Sequence, residues 1–507
     1  MKIVNIIRTG VCVLIVSIST QPYGQSQPIS PYLVGVNVWM NPSDAVWKTF
    51  KDCGLGMVRI GGIKYDDEGL PGETRGWVDK IKTLGAQPLI QIPKSSSAQQ
   101  AADIVSQYSD VTFFSIGNEP DLGGVSNPAD IANYIKPKAT AMKKVNPKIK
   151  IYVADCAWYN KSIYPSLFGG DNDISGKDIN GNYYVDGLSW HQYPYSGLKG
   201  TLRYDMTELM RKNSVAASEQ IDIANKKHNR TGENKIGWSI GEFNSGNDFG
   251  FAVHSFDNGQ MFGCVLGICM KYSATYAAAW SMFENNGNRQ STDFSLLDGS
   301  GLTPRASFRH MQMVGRNFSG IYVDGVCTVD DIVTFGCKDT AQDKLCAMII
   351  NRANTASPFT LRFDSTSITG NKTHINLDAG MTGEYQDTVA GLTTLLLVFK
   401  KGAGMKYIYG ETHFNQGKAP DSVSIKAPFS IHTSIIERHS IGSQTAGVNA
   451  NEPCHMQLIS LQGKIVADWQ NTQTQGNALI NHKISGAYLL KRTSDKSRTV
   501  ERVIIQE

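Results

Sequence analysis

The feature that most constrains the fold is a series of eight apolar, β-branched runs between residues 32 and 318. Successive runs begin 25 to 52 residues apart, which leaves room for a crossover helix between parallel strands. The runs are almost continuously apolar, as expected of strands that are covered on both faces. They begin near Tyr32, Met57, Ala86, Val111, Ile149, Tyr184, Ile236 and Thr275.

Eight such units match a closed (β/α)8 barrel, whose typical size is about 250 residues. An open doubly wound sheet is the alternative, but it requires a glycine-rich phosphate loop after the first strand, and we find none. We therefore predict an α/β fold with a TIM barrel at residues 28–318. The clearest intervening helices are Ala45–Cys53, Arg75–Leu84, Ala98–Tyr108 and Asp130–Val145.

The pattern changes after residue 318 to short, alternating runs divided by Gly, Asn, Asp and Ser. Such runs predict an antiparallel β-sandwich domain at residues 319–409. The polar segment 410–425 is interpreted as a linker. Residues 426–507 again contain β-type runs and are predicted to form a small C-terminal β-domain.

The N-terminus has the pattern of a targeting segment. Lys2 and Arg8 precede an apolar run from Val11 to Ile18, and a polar stretch with Pro22 and Gly24 follows. This predicts a secretory signal peptide at residues 1–24, with a buried N-terminal helix as the alternative. No later segment reaches the ~18 consecutive apolar residues of a membrane span. We therefore expect export through the periplasm to a secreted or cell-surface location.

Charge and cysteine content exclude several classes. With 49 basic and 45 acidic residues, the net charge of +4 gives no nucleic-acid-binding footprint. The cysteines include no zinc-type spacing, so we expect no metal and no cofactor. Eight cysteines remain after the predicted signal peptide, and this even number permits disulfides in an exported protein. A bridge among Cys327, Cys337 and Cys346 is plausible because they are close in sequence.

In a (β/α)8 barrel the functional side chains lie at the carboxyl ends of the strands. Glu119 follows the fourth predicted strand and Glu242 ends the seventh. These two strands face each other across the barrel mouth, so both carboxyl groups can flank one bond. Glycoside cleavage needs such a pair, one acid to protonate the leaving oxygen and one carboxylate to attack the anomeric carbon. A third acid near this face, Glu284, is more readily interpreted as a loop carboxylate.

Other strand ends carry compatible polar and aromatic residues. Each alone has an ordinary explanation as a salt-bridge partner, a satisfied core polar group or a core tryptophan. They all lie at the carboxyl ends of predicted strands, and this shared position indicates an active site. No GxSxG, HExxH or P-loop motif indicates another chemistry. The candidate substrate-binding residues are Arg59, Asn118, His191, Tyr193 and Trp280.

The tripeptide Asn118-Glu119-Pro120, together with Glu242 on strand seven, resembles the clan A glycoside hydrolases. The resemblance covers about residues 32–318 and the β-domain behind them. It implies that Glu119 is the acid/base and that Glu242 is the nucleophile that forms a glycosyl-enzyme. It also implies that Asn118 holds the sugar 2-hydroxyl group. The chain departs from the cellulase pattern at Gly117 and has no clear Asn-His pair before strand four, so no family within the clan is assigned.

The resemblance extends to four further positions. Tyr193 would hydrogen-bond to the nucleophile, and His191 would line the sugar subsite. Arg59 would keep the nucleophile ionised, and Trp280 would stack under the sugar ring.

The last ~80 residues resemble the C-terminal sorting domain of type IX secretion substrates from Bacteroidetes. The matching segments are Gln462–Lys464, Gly486–Leu490 and Glu501–Ile505. A small carbohydrate-binding β-domain is the alternative. The sorting interpretation implies the type IX secretion machinery as a partner and removal of this domain after export.

The sequence thus favours a secreted, retaining glycoside hydrolase that cleaves β-glycosidic bonds of extracellular polysaccharide, as an endo-β-glycanase, by double displacement. An exo-acting β-glycosidase or glycuronidase is the first alternative. A non-catalytic polysaccharide-binding protein is the second, although a binder needs no facing pair of acids. The expected substrate is a polysaccharide or oligosaccharide.

Overall fold

The chain is described here by a computed structural model that covers two compact units, residues 1–431 and 432–507. Described are residues 27–428, except 123–126, 195–201, 247–251, 285–292, 300–302, 364–372, 378 and 382, and four strands between 454 and 505. The predicted signal peptide lies outside the described residues. Within the described part, no helix is long and apolar enough to cross a bilayer.

Eight parallel strands close into a barrel in chain order, which confirms the predicted TIM barrel. Each strand begins within three residues of its predicted start. Strand β8 pairs with strand β1, so the sheet has no free edge. The barrel strands are β1 (Val34–Val38), β2 (Met57–Ile60), β3 (Gln87–Ile92), β4 (Phe113–Ile116), β5 (Lys150–Cys156), β6 (Gly187–Gln192), β7 (Gly237–Phe243) and β8 (Ala277–Ala279).

The connecting helices begin at residues that suit a helix N-terminus. Ser43 and Ser255 accept hydrogen bonds from backbone amides of the first turn, and Ser97 and Gln100 form a capping box. The helices are α1 (Asp44–Phe50), α2 (Ile63–Glu68), α3 (Thr74–Thr83), α4 (Ala98–Gln107), α5 (Pro128–Val145), α6 (Tyr164–Leu167), α7 (Leu202–Lys227), α8 (Phe256–Lys271) and α9 (Ala306–Asn317). A short 3-10 helix, Gly232–Asn234, precedes β7, and a two-stranded hairpin, β9 (Leu297–Asp298) with β10 (Thr303–Pro304), precedes α9.

The barrel interior changes from apolar to polar towards the carboxyl ends of the strands. Met57, Leu89 and Phe113 belong to one buried apolar cluster. Because side chains alternate along a strand, the residues two positions later point inward as well. Those residues are polar and fully buried, and they are Arg59, Gln91 and Ser115. A polar floor therefore lies directly under the barrel mouth.

The second domain is a nine-stranded, mostly antiparallel sheet with one parallel pair, β14 with β15. Its last strand is Asp421–Lys426, preceded by a short helix, α10 (Glu411–Asn415). Residues 410–425, predicted to be a linker, are therefore part of this domain. The polar composition misled the prediction because this edge strand is mostly exposed. The strands are β11 (Ile321–Cys327), β12 (Ile332–Asp339), β13 (Lys344–Asn351), β14 (Ser357–Arg362), β15 (Thr373–Leu377), β16 (Glu384–Val389), β17 (Thr393–Lys400), β18 (Ala403–Gly410) and β19 (Asp421–Lys426).

Helix α8 packs directly against this sheet. A Cβ atom added at Gly267 would lie 2.5 Å from the Phe335 ring, and one at Gly263 would lie 2.9 Å from Ile350. His310 of α9 also bridges the two domains, with Nε2 2.9 Å from Thr394 Oγ1. Burial lowers the pKa of His310 to about 4, so this histidine is neutral at pH 7.

The seven cysteines between residues 53 and 346 are free thiols in the structure. Cys337 and Cys346 lie directly opposite each other on β12 and β13. The bridge that the sequence made plausible is therefore not formed here.

The C-terminal unit contains four antiparallel strands in the order β21-β20-β22-β23. Two of the three segments that resemble a sorting domain lie in β22 and β23, and the third lies outside the described residues. The strands are β20 (Cys454–Ser460), β21 (Ile465–Asn471), β22 (Gly486–Thr493) and β23 (Arg498–Ile505).

Candidate active site

The centre of the candidate site is Arg59, which lies near the end of β2 and is fully buried. Its Nη1 donates hydrogen bonds to Glu242 Oε1 at 2.9 Å and to Asn37 Oδ1 at 2.8 Å. Its Nη2 donates to Asn118 Oδ1 at 2.8 Å and to Gln91 Oε1 at 3.1 Å. Since arginine stays protonated in proteins, this side chain holds a permanent positive charge beside Glu242. It contacts the nucleophile candidate, as the resemblance implied.

Asp155 is a second acidic partner of Arg59. This fully buried residue of β5 has Oδ2 3.4 Å from Arg59 Nη2. Its backbone carbonyl oxygen accepts a hydrogen bond of 2.9 Å from the amide of Glu119, whose φ is +42°. Gly241 of β7 leaves the space for this carboxylate, because a Cβ atom there would lie 2.6 Å from Asp155 Oδ1. Asp155 therefore balances the charge of Arg59 and anchors the backbone of Glu119.

Asp66 fixes the backbone of Asn118. Its Oδ2 accepts a hydrogen bond of 2.9 Å from the Asn118 amide, and its Oδ1 accepts bonds from Gln91 Nε2 and the Lys94 amide. Asp66 is itself buried on α2. The loop after β4 is thus held at two points, since Asp66 accepts a hydrogen bond from the Asn118 amide and Asp155 accepts one from the Glu119 amide.

Glu119 and Glu242 approach each other closely, with His191 between them. The register of β6 and β7 places His191 beside Glu242. His191 Nδ1 lies 2.9 Å from Glu119 Oε1 and 3.5 Å from Glu242 Oε2. Side-chain atoms of all three residues lie within 4.8 Å of one another. Retaining glycosidases hold their carboxyl groups about 5–5.5 Å apart, whereas inverting ones need about 6.5–9.5 Å. The spacing fits the retaining geometry.

Tyr193 completes the contacts of Glu242. Its hydroxyl donates a hydrogen bond of 3.0 Å to Glu242 Oε2, while Arg59 occupies Oε1. Both carboxylate oxygens therefore have a donor, and the carboxylate plane is fixed. A carboxylate held in this way is oriented for attack and loses little freedom on reaction.

Two opposing effects act on each titratable group of the site. Burial would raise the pKa of Glu119, but the hydrogen bond and charge of His191 and the charge of Arg59 lower it below its ordinary value. Burial raises the pKa of Glu242, against the positive charges of His191 and Arg59. Burial would lower the pKa of His191, but Glu242 and Glu119 raise it above its ordinary value. The negative charges of Glu242 and Glu119 therefore favour the protonated imidazole of His191.

A protonated His191 can donate its proton to Glu119. Nδ1 of His191 points at Glu119 Oε1, so the proton needs to move only across a 2.9 Å hydrogen bond. A ligand in the cleft that excludes water from Glu119 would favour the neutral carboxylic acid. Substrate binding should then draw the proton from His191 to Glu119.

We expect a pH profile of kcat/KM whose basic limb depends on His191. The pKa of His191 is raised, so the proton is present below that pKa and activity falls as the pH rises through it. In His191→Asn no imidazole is present, so the proton needed for turnover must come from a carboxyl group. A carboxyl group has a lower ordinary pKa, and the basic limb should move to lower pH. The pH dependence of turnover in both proteins measures this shift, and an unchanged basic limb would contradict a role of His191 as proton donor to Glu119.

A cleft of about 560 Å³ opens over the two glutamates. Trp280 forms one wall and stacks on Trp39 with ring centroids 5.7 Å apart at 18°. Such an aromatic wall offers a flat apolar face to a sugar ring. The residues that line the cleft are Ile63, Asn118, Glu119, Tyr193, Pro194, Glu242, Gly246, Trp280 and Phe294.

The structure divides the sequence-predicted site residues into two groups. Asn118, Tyr193 and Trp280 line the cleft beside the two glutamates. Arg59 and His191 are fully buried and contact the glutamates without lining the cleft. His191 is not among the residues that line the cleft, and its place in a sugar subsite stays a prediction.

Glu284 is buried rather than solvated. Its carboxylate accepts a hydrogen bond of 2.8 Å from the Phe294 amide, and its own amide donates to Ser295 Oγ. Burial raises its pKa. It serves the segment that follows β8, consistent with a structural role, and it is not part of the cleft lining.

Sequence analysis missed Asn37, Asp66, Gln91, Asp155 and Trp39. Three of them share a readable signal, a polar residue at the second position from the end of a strand. This signal applies to Asn37 in β1, Gln91 in β3 and Asp155 in β5. Asp66 and Trp39 follow strands, where charged and aromatic residues are common, so the sequence did not distinguish them.

The same three side chains, Glu119, His191 and Glu242, are spaced closely enough to hold a metal ion. The surrounding charges disfavour this use. Arg59 lies 2.9 Å from Glu242, and a histidine with a raised pKa keeps the proton that a metal would have to displace. The charges around the cluster therefore disfavour a metal ion at this position.

Comparisons with solved structures show the fold. One similar structure is a family 51 α-L-arabinofuranosidase from Bifidobacterium longum, at 14% identity and a TM-score of 0.57, covering 74% of this chain and 98% of that one. Another is a family 44 xyloglucanase from Paenibacillus polymyxa, at 13% identity and a TM-score of 0.52, covering 75% and 98%. A third is a bifunctional glucanase-xylanase from a metagenome library, at 13% identity and a TM-score of 0.53, covering 74% and 97%.

No protein-family profile matches the chain, and a search of curated proteins finds no relative at a significant level. At such low identities the structural likeness shows a barrel with an appended β-domain and no more. The chemistry must therefore be argued from the site itself.

Proposed function

We propose that the protein is a secreted, retaining glycoside hydrolase, with Glu119 as acid/base and Glu242 as nucleophile. The observation that carries the proposal is a pair of carboxylates with one oxygen of each within 4.8 Å of the other. One carboxylate is held by Arg59 and Tyr193 and the other by His191. A non-catalytic binding protein has no use for this arrangement. The similar folds of hydrolases support the proposal.

In the first step, Glu242 attacks the anomeric carbon while the bond to the leaving oxygen breaks. Glu119 gives its proton to that oxygen, so the leaving sugar departs as a neutral alcohol. Arg59 and Tyr193 keep the attacking carboxylate ionised and oriented. The product is an ester between the sugar and Glu242.

In the second step, water attacks the same carbon from the side that the leaving group vacated. Glu119, now a carboxylate, takes the proton of that water, and the ester bond to Glu242 breaks. Two inversions give net retention of configuration. The site returns to its starting protonation state.

We propose endo-cleavage of a β-linked polysaccharide as the leading activity. The glucanase and xyloglucanase folds support it. Three of the similar structures are α-L-arabinofuranosidases, and this favours release of a terminal sugar as the second candidate. A substrate panel separates the two, because an endo-enzyme shortens polymers internally and an exo-enzyme releases monosaccharide.

The direct test is reducing-sugar release by residues 25–431. The panel should contain β-glucans, xyloglucan, xylan, mannan, galactan, arabinan and uronic-acid polymers. Release from one polymer by the wild type, and none by Glu242→Gln, is expected. No release of sugar from any polymer and no cleavage of aryl glycosides would contradict the proposal. A chelator control is included because the three site residues are metal-competent.

For the acid/base, we expect Glu119→Gln to lose activity according to the leaving group. Natural glycosides need protonation of a poor leaving group and should lose about 10²–10⁴-fold in kcat/KM. A 2,4-dinitrophenyl glycoside needs almost none, so its cleavage should be affected far less. Equal losses on both substrates would exclude the acid role. Asp103→Gln, a change on the barrel exterior in α4, is the control and should alter neither.

We also propose export. The N-terminal charge pattern supports a signal peptide, and the separate C-terminal unit of four antiparallel strands supports a sorting domain for type IX secretion. Mass spectrometry of the protein in the culture medium would reveal loss of both segments. Retention of the full chain in the cytoplasm would contradict this proposal.

A further inference from the structure

An exposed tryptophan lies at the same end of the barrel as the catalytic glutamates, outside the cleft lining. Trp158 follows the carboxyl end of β5 and is 47% exposed. A tryptophan with this much of its side chain exposed commonly marks a surface that binds a ligand or a partner. None of the steps proposed for hydrolysis uses it.

The backbone on both sides of Trp158 is firmly held. The Ala157 amide donates a hydrogen bond of 2.8 Å to Asp121 Oδ1. Tyr159 is buried and stacks on Tyr164 with centroids 5.1 Å apart at 13°. The indole of Trp158 therefore lies on a fixed segment, and stacking of a ligand on it costs little conformational entropy of the backbone.

The position of this segment relates it to the leaving group. Asp121, which holds Ala157, stands two residues after Glu119 on the same loop, and Leu122 beside it is 59% exposed. The acid that protonates the leaving oxygen must lie on the leaving-group side of the scissile bond. The loops after β4 and β5 therefore border the leaving-group sugars.

The opposite side of the mouth already has its aromatic pair. Trp39 follows β1 and Trp280 follows β8, and these strands are neighbours in the closed barrel. Strands β4 and β5 lie across the barrel from them. A sugar chain that crosses both glutamates would meet Trp280 at one end and Trp158 at the other.

We propose that Trp158 is the platform of a leaving-group subsite that stacks a sugar ring of an oligosaccharide or polysaccharide chain. This inference rests on the proposed hydrolase function and deepens it. It assigns a subsite beyond the bond that is cut, so the preferred substrate continues on the leaving-group side.

The test compares two substrates of the same glycone in the full-length protein. One is the 4-nitrophenyl glycoside, whose leaving group carries no sugar, and the other is the oligosaccharide of the polymer that responds in the panel. Trp158→Ala should lose about tenfold in kcat/KM on the oligosaccharide, chiefly through KM, and little on the aryl glycoside. Trp158→Tyr keeps an aromatic face and should recover most of the loss.

Ile179→Ala is the matched control, because Ile179 is 97% exposed in the same connection between β5 and β6. This variant should keep the wild-type kcat/KM on both substrates. Equal losses of Trp158→Ala on both substrates, or none on either, would overturn the subsite and leave the hydrolase proposal intact. A wild type inactive on every substrate would overturn the hydrolase and the subsite together.

Discussion

Glu242→Gln should abolish hydrolysis, with a loss of at least about 10⁴-fold in kcat. Glutamine has nearly the same shape but cannot form the ester that double displacement requires. Arg59 keeps Asp155 as an acidic partner 3.4 Å away, so the fold should survive the lost charge. Initial rates on the responding substrate measure the effect, and the thermal midpoint shows that the variant is folded.

Glu208→Gln is the matched control for this variant. Glu208 lies on α7, pairs with Arg211 at the surface and is not among the residues that line the cleft. It should keep full activity. Turnover by Glu242→Gln at more than a few per cent of the wild-type rate would remove Glu242 from the nucleophile role.

Removal of the nine-stranded domain should prevent folding of the barrel. Phe256, Val265 and Phe308 of the barrel share one buried cluster with Phe335 and Ile350 of the sheet. Each large apolar side chain exposed by truncation costs about 1.5–3 kcal/mol, and a whole domain is stable by only about 5–15 kcal/mol. Residues 25–318 should therefore be insoluble, whereas 25–431 should be soluble and active. A soluble, cooperative 25–318 would contradict the shared core.

A single substitution tests the same interface without truncation. Gly267→Ala places a Cβ atom 2.5 Å from the Phe335 ring and should destabilise the protein by about 1–3 kcal/mol. Gly76→Ala in α3 meets no atom within 4 Å and should be neutral or stabilising by up to about 1 kcal/mol. Urea unfolding of both variants gives the comparison, and equal stabilities would show that the sheet does not approach α8 closely.

Much of the barrel was predictable because its strands are marked by composition and spacing. Runs such as VGVNV and FFSI are bounded by residues that favour helix starts and turns, so each start was found within three residues. The end of the second domain was not, because β19 is an exposed edge strand whose side chains look like those of a linker. Burial sets the sequence pattern, and this strand buries little.

The candidate site was predictable as a set of strand ends but not as a network. Position in the chain indicated that Glu119 and Glu242 share one end of the barrel. It could not reveal that His191 lies beneath both, since a buried histidine and one that lines a subsite occupy the same strand position. The role of Asp155 depends on a turn of the backbone and on Gly241, which leaves the space for its carboxylate.

The anomeric configuration of the first product tests the central claim most directly. Proton NMR of the reaction, recorded within the first minutes on the substrate that responds, distinguishes the two anomers before mutarotation. One oxygen of Glu119 and one of Glu242 lie within 4.8 Å of each other, and this spacing predicts that the anomer of the substrate appears first. Appearance of the opposite anomer first would show that water, and not Glu242, attacks the sugar.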